Sequence, residues 1–274
     1  MKLSFTTNVF GGWQWPVGKL ARWAKDNGFQ GIEVGPLTKT TEDEMRQAMK
    51  ETGIEIPALI YCRNVLDVNK DTAAFHRRQV LDRVRWAGNL GIPLMVTATG
   101  RAQNLTLEQS LEPGLEFLGK EVLPLARGCG VKVALENCPA IGNVACSPAM
   151  WRKTFSGLPD LGLAYDPSHL VWQFIDPYIP MREFGARIVH VHAKDTEILP
   201  DVLQDVGIEG HGWWRYRMPG WGVINWTRIV SQLMEAGYDG YISIEHEDPV
   251  WDGTEEKVGR ALNLGRELLT AIWA

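Results

Sequence analysis

The chain has 274 residues, 45% of them hydrophobic and 22% charged, and carries a formal net charge of −5. Those proportions are ordinary for a globular protein and exclude extensive disorder, while the lack of a basic block excludes an electrostatic footprint for nucleic acid. No apolar run approaches the roughly 18 residues of a membrane span, and the N-terminus MKLSFTTNVFGGW lacks a signal-peptide core, so a cytoplasmic protein with neither nucleic-acid nor membrane partners is expected.

In chain order, the first apolar run is KLSFTT at 2–7. Pro16 opens the helical stretch VGKLARWAKDNG, which hands over to GFQGIEV at 28–34. The acidic TEDE starts a second helix through MRQAMKETG, followed by GIEIPALIY at 53–61. A third, AAFHRRQVLDRVRWAGNLG, leads into GIPLMVTAT at 91–99, and LEQSLEPGLEFLGKEVLPLARGCG leads into GVKVAL at 130–135. SPAMWRKTFSG precedes LGLAYD at 161–166, and RIVHVH follows at 187–192. Residues 195–222 form the longest connection. WTRIVSQLMEAG then leads into GYDGYISIE at 237–245, and TEEKVGRALNLGRELLTAIW closes the chain.

Glycine at most of these handovers suits the left-handed cap of a helix, and the short apolar runs after it suit buried parallel strands. Eight strands alternating with helices argue an α/β fold closed into a (β/α)8 TIM barrel, spanning 1–274 as one domain. An open doubly wound sheet is disfavoured, because no GxGxxG follows the first strand. Cys62, Cys129, Cys138 and Cys146 show no CxxC spacing, which agrees with a reducing compartment and argues against zinc held by thiolates.

Glu136, Asp166, His192 and Glu245 each end a different apolar run. A single strand-end Glu is ordinarily a cap or salt-bridge residue. Four ionisable groups ending four strands cost burial energy unless something pairs with them, and a divalent cation at the barrel mouth does so. Strand alternation points His190 and His192 the same way, and likewise Tyr241, Ser243 and Glu245, so each donor can face the axis.

The succession Glu136, DPSH at 166–169, HVHAKD at 190–195, RMPGWGVINW at 217–226 and SIEHED at 243–248 resembles the xylose isomerase-like TIM barrels. It is most similar to their sugar phosphate isomerase/epimerase group, which includes the ketose 3-epimerases. The resemblance implies that Glu136, Asp166, His192 and Glu245 bind a metal. It also implies that Glu136 and Glu245 act as acid and base on opposite faces of a ketose. Stabilising the resulting enediolate requires a cation on its oxygens, which is Lewis-acid chemistry. Three carboxylates and an imidazole suit Mn²⁺, the expected cofactor, with Mg²⁺, Co²⁺ or Zn²⁺ as alternatives.

The expected partner is a small-molecule sugar. A lyase acting on an inosose or keto-glycoside would begin with the same proton abstraction. An endonuclease IV-like hydrolase would need histidines on early strands, yet the first histidine is His76, inside a helix. A non-catalytic sugar-binding barrel would not need both glutamates. Substrate contacts are expected from His169, from Arg217 in the long connection, from Glu33 at the end of GIEV, and from Trp15. Trp13, Trp213, Trp214 and Trp221 share Trp15's loop setting, where indole faces stack on sugar C–H surfaces or offer a homodimer contact. Trp23, Trp86 and Trp273 are spaced for helix packing, His190 reads as core, and Lys194 and Asp195 as mutual partners.

Overall fold

The computed structural model describes residues 1–9, 15–139 and 142–273. It begins β1 (Lys2–Thr6), α1 (Val17–Asp26), β2 (Gly31–Glu33), α2 (Glu42–Thr52), β3 (Leu59–Tyr61), α3 (Lys70–Leu90) and β4 (Leu94–Thr97). There follow α4 (Leu107–Phe117), α5 (Leu123–Cys129), β5 (Lys132–Glu136), α6 (Pro148–Gly157), β6 (Gly162–Tyr165), α7 (Ser168–Val171) and α8 (Ile179–Phe184). The last elements are β7 (Ile188–Ala193), β8 (Asp195–Ile198), α9 (Pro200–Val206), β9 (Trp214–Arg217), α10 (Trp226–Glu235), β10 (Tyr241–Ile244) and α11 (Glu255–Trp273).

Eight strands form one parallel sheet in the order β2-β1-β10-β7-β6-β5-β4-β3. Bridges from Gly31 to Glu55 and from Val34 to Leu59 bring its two ends together, completing the TIM barrel. Pro57 interrupts this seam because proline has no N–H to offer the ladder. For that reason the expected strand at 53–61 shrinks to Leu59–Tyr61. Helices α2, α3 and α5 end at Gly53, Gly91 and Gly130, all left-handed (φ 75°, 69° and 69°), as the glycine handovers predict.

Two expected elements differ in form. The helix at 107–130 splits around a π-helical stretch, Leu118–Val122, just before Pro124, which cannot donate to the preceding turn. The 195–222 connection contains α9 and an antiparallel hairpin, β8 against β9, pairing Asp195 with Arg217 and Ile198 with Trp214. Asp195 ties that hairpin to the barrel. It accepts from the backbone N–H of Gly220 (3.1 Å) and Ile224 (3.0 Å) and from Trp226 Nε1 (3.1 Å). A Cβ on Gly222 would collide with the Asp195 carboxylate and the Thr196 carbonyl, so the clasp requires glycine there.

Between barrel and helices the core includes Phe5, Leu20, Ile32, Leu118, Trp151 and Tyr165, all buried. Trp23, Trp86 and Trp273 pack against it, as their helical spacing predicts. Among the described residues no helix is long and apolar enough to cross a membrane.

Candidate metal and proton-transfer site

The parallel register brings four strand ends together at one mouth of the barrel. Glu136 closes β5, Asp166 follows β6, His192 lies in β7 opposite Ser243, and Glu245 follows β10. One donor atom from each of these four residues lies within 4.8 Å of every other. His192 Nδ1 stands 3.1 Å from Glu136 Oε1 and 3.5 Å from Glu245 Oε2. A cavity of about 360 Å³ opens over them, bordered also by His169, Lys194, Tyr216 and Glu247. A larger cavity, about 530 Å³, lies at the opposite end of the strands, mostly apolar with Glu55, Lys132, His190 and Tyr241 at its wall, and holds none of the four donors.

The donor set fits a divalent cation on its own geometry. Asp166 Oδ2 is buried and takes no well-directed hydrogen bond, although the Lys194 ammonium and His169 Nε2 both lie 3.2 Å away. The remaining charge is balanced by protons. Burial alone would depress His192, but Glu33 and Glu245 raise it well above the usual imidazole range. Burial would likewise lower His169, yet the Asp166 carboxylate lifts it to about 10. For Glu136, burial is overcome by the imidazoles of His169, 3.7 Å away, and His192, 3.1 Å away, which hold the carboxyl well below its ordinary value. Glu245 behaves oppositely. Burial raises it to about 7 against the pull of Lys194, with Glu247 adding to the rise.

Lys194 is the centre's fixed cation. Its ammonium is buried, 2.7 Å from Glu245 Oε2 and 2.9 Å from Glu247 Oε2, and lies over the Tyr216 ring. Asp166 and Glu245 outweigh burial and raise its pKa well above normal. The expectation that Lys194 pairs with Asp195 is therefore corrected: Asp195 is occupied by the hairpin clasp. The usable signal is strand parity, since the alternation that turns His190 and His192 inward reaches Lys194 at the next step.

His169 borders the cavity as expected, its Nδ1 2.8 Å from the Tyr216 hydroxyl, which in turn accepts from Trp172 Nε1 at 3.2 Å. Cys138 also comes within 4.8 Å of the Glu136 and His169 donor atoms, a thiol that cysteine spacing does not reveal. Three expected substrate contacts lie elsewhere. Glu33 is fully buried behind His192 instead of facing the cavity. Trp15 donates from Nε1 to Glu255 (2.7 Å) with the Lys19 ammonium over its ring, away from the cavity lining. Arg217 braces the hairpin, pairing with Glu197 (2.5 Å) and buried Asp248 (2.9 Å).

Of the other loop tryptophans, Trp213 stacks on Phe174, Trp214 on Trp172, and Trp221 packs against Trp251, while Trp13 lies outside the described residues. Arg217→Ala should cost about 2 kcal/mol, because it strips a charge-assisted bond from a buried carboxylate. A lower urea midpoint at unchanged slope would record that loss.

A family model described as "Xylose isomerase-like TIM barrel" matches residues 21–268. An inosose isomerase from Halalkalibacterium halodurans is 25% identical over 241 residues, covering 81% of this chain and 80% of the relative. The apo structure of a 3-keto-D-glucoside 4-epimerase from E. coli superposes with a TM-score of 0.78 at 17% identity, covering 99% of both chains. A crystal structure of the IolI protein, whose description names a bound zinc atom, superposes at 0.76 and 17% identity with complete coverage of both.

Proposed function

The chain belongs to the xylose isomerase-like TIM barrels, and from that membership we propose that it is a divalent-metal-dependent sugar isomerase or epimerase. Its substrate in this reading is a ketose or keto-sugar derivative. The observation that carries the proposal is the pairing of two carboxylates, Glu136 and Glu245, with a shared imidazole under one cavity. The isomerase and epimerase among the compared proteins support the reaction class, and the zinc-bound neighbour supports a metal.

Glu136, Asp166, His192 and Glu245 would hold the ion, with Mn²⁺ the proposed occupant of so oxygen-rich a set. When bound, the ion supplies Lewis acidity to the substrate's carbonyl and neighbouring hydroxyl oxygens. One glutamate takes the proton next to the carbonyl and the other returns a proton. Return to the opposite face of the same carbon gives an epimer; return to the neighbouring carbon gives an isomer. In the metal-free site burial lifts Glu245 to about 7, so of the two glutamates it is the one that takes up a proton more readily. Lys194 keeps that carboxylate oriented, and His169 donates a hydrogen bond to a substrate oxygen.

The test is to incubate the Mn²⁺-loaded protein with ketoses and keto-glycosides in D₂O and follow deuterium uptake beside the carbonyl. Tight sugar binding without exchange in any substrate would discard the enzyme reading. One observation favours a dehydratase variant: the His169 imidazole borders the cavity, where it can pass a proton to a departing hydroxyl. Loss of water instead of label incorporation into recovered sugar would select it.

Metal removal gives an independent check. Chelation should abolish exchange and a single equivalent of Mn²⁺ should restore it, read alongside elemental analysis. Binding must displace protons from His192 and from Glu245. Affinity should therefore weaken as pH falls through about 7, where Glu245 takes up its proton. The expected slope is up to about tenfold per pH unit for each proton displaced. A flat pH profile would contradict this.

A further inference from the structure

We propose that Glu33 is a positioning residue for the cation site, fixing His192 with its proton on Nε2 so that Nδ1 is the donor atom. The inference rests on the cation site proposed above, and it adds a residue outside the four donors. Both Glu33 oxygens lie close to His192 Nε2, at 3.2 and 3.1 Å. Both side chains are fully buried, so no water competes for that contact.

An ionised carboxylate only accepts hydrogen bonds, and a neutral imidazole carries one N–H. With a cation displacing the proton on the Nδ1 side and Glu33 on the Nε2 side, the remaining proton belongs on Nε2. The Nδ1 lone pair then points at Glu136 Oε1 and Glu245 Oε2, 3.1 and 3.5 Å away. Three lone-pair donors facing one another repel unless a cation or a proton lies between them. Glu33 thus does two things at once: it selects the tautomer and, by its negative charge, makes Nδ1 a stronger donor.

Glu33 is itself held. Its Oε2 sits 3.3 Å from His190 Nε2, so two imidazoles from successive inward positions of β7 flank one carboxylate from β2. This also gives His190 a definite place, one layer beneath the donors. The link joins residues 159 apart in sequence, which is why strand-by-strand reading assigns Glu33 to the cavity instead.

The test compares Mn²⁺ and Zn²⁺ affinity, by competition with a chromophoric chelator, for the wild-type chain, Glu33→Ala and Glu33→Gln. Glu33→Ala should bind about 10- to 100-fold more weakly. Glu33→Gln keeps an acceptor for Nε2–H and should recover most of that loss. Equal affinity in wild type and Glu33→Ala would overturn the proposal, as would a Glu33→Gln variant no better than Glu33→Ala. If Glu33→Ala does not fold, long-range ¹H–¹⁵N spectra of the zinc-loaded wild type decide. Protonated Nε2 with metal-shifted Nδ1 on His192 is expected, and the reverse assignment refutes it. A wild-type chain that binds neither ion overturns the functional reading as well, whereas failure confined to the variants or the tautomer overturns only this step.

Discussion

Glu245→Gln is expected to slow deuterium exchange next to the substrate carbonyl by about 10²- to 10⁴-fold, the range usual for removing a positioned acid or base. The substitution is conservative in shape. The amide oxygen can still accept from Lys194, which now lies 2.7 Å from the carboxylate, so the local packing survives. What disappears is a group able to take and return a proton, together with one anionic donor. Glu136→Gln should slow exchange as far for a proton on its own face, and either variant should lose turnover to the other epimer, which needs both faces of the substrate served. Both variants should be assayed at saturating Mn²⁺, with sugar binding measured by calorimetry, so that a lost proton carrier is not mistaken for a lost metal. Retention of wild-type turnover to product in either one would remove that residue from the chemistry.

Lys194→Met should be the most damaging change to stability in the metal-free protein. The thioether fills much the same volume, but the buried carboxylates of Asp166 and Glu245 lose their nearest fixed cation. Breaking a buried ion pair by removing one partner typically costs about 3–5 kcal/mol. For a chain of this size that corresponds to a fall in melting temperature on the order of 10 °C. A divalent ion placed among the same carboxylates should restore part of the loss. The variant should therefore gain more melting temperature from saturating Mn²⁺ than the wild type does. Equal gains in the two proteins would mean that Lys194 and the cation do not share the charge of the site.

The barrel was legible because its signals are local and repeated: a glycine cap, a short apolar run and an amphipathic helix, renewed around the ring. The four strand-end residues stand out for the same reason, each breaking an apolar run at its C-terminal end. Register then brings their donor atoms within 4.8 Å of one another, which no single strand can reveal. Lys194 was misassigned through adjacency, since Asp195 is its neighbour in sequence but faces the hairpin. Arg217 and Trp15 are expected as sugar contacts because arginine and indole often are, and neither lines the described cavity. Their actual partners, Asp248 and Glu255, come from distant segments that sequence spacing does not connect to them. The hairpin in the long connection escaped notice because DTEI and WRYR lack the apolar alternation of a half-buried strand.

The interruption of the sheet at Pro57 has a bearing on the donors at the mouth. There β2 meets β3 through isolated bridges on either side of a residue without an N–H, while its other edge is laddered to β1 from Gly31 to Glu33. Glu33 lies on β2 beside that interruption, paired on its other side with Thr6 of β1, while the imidazole it approaches lies on β7, which is paired on both sides. The contact between Glu33 and His192 therefore ties the strand with the interrupted edge across the ring to the strand that carries the proposed donor, so the sheet's seam and the proposed cation site share one pair of side chains.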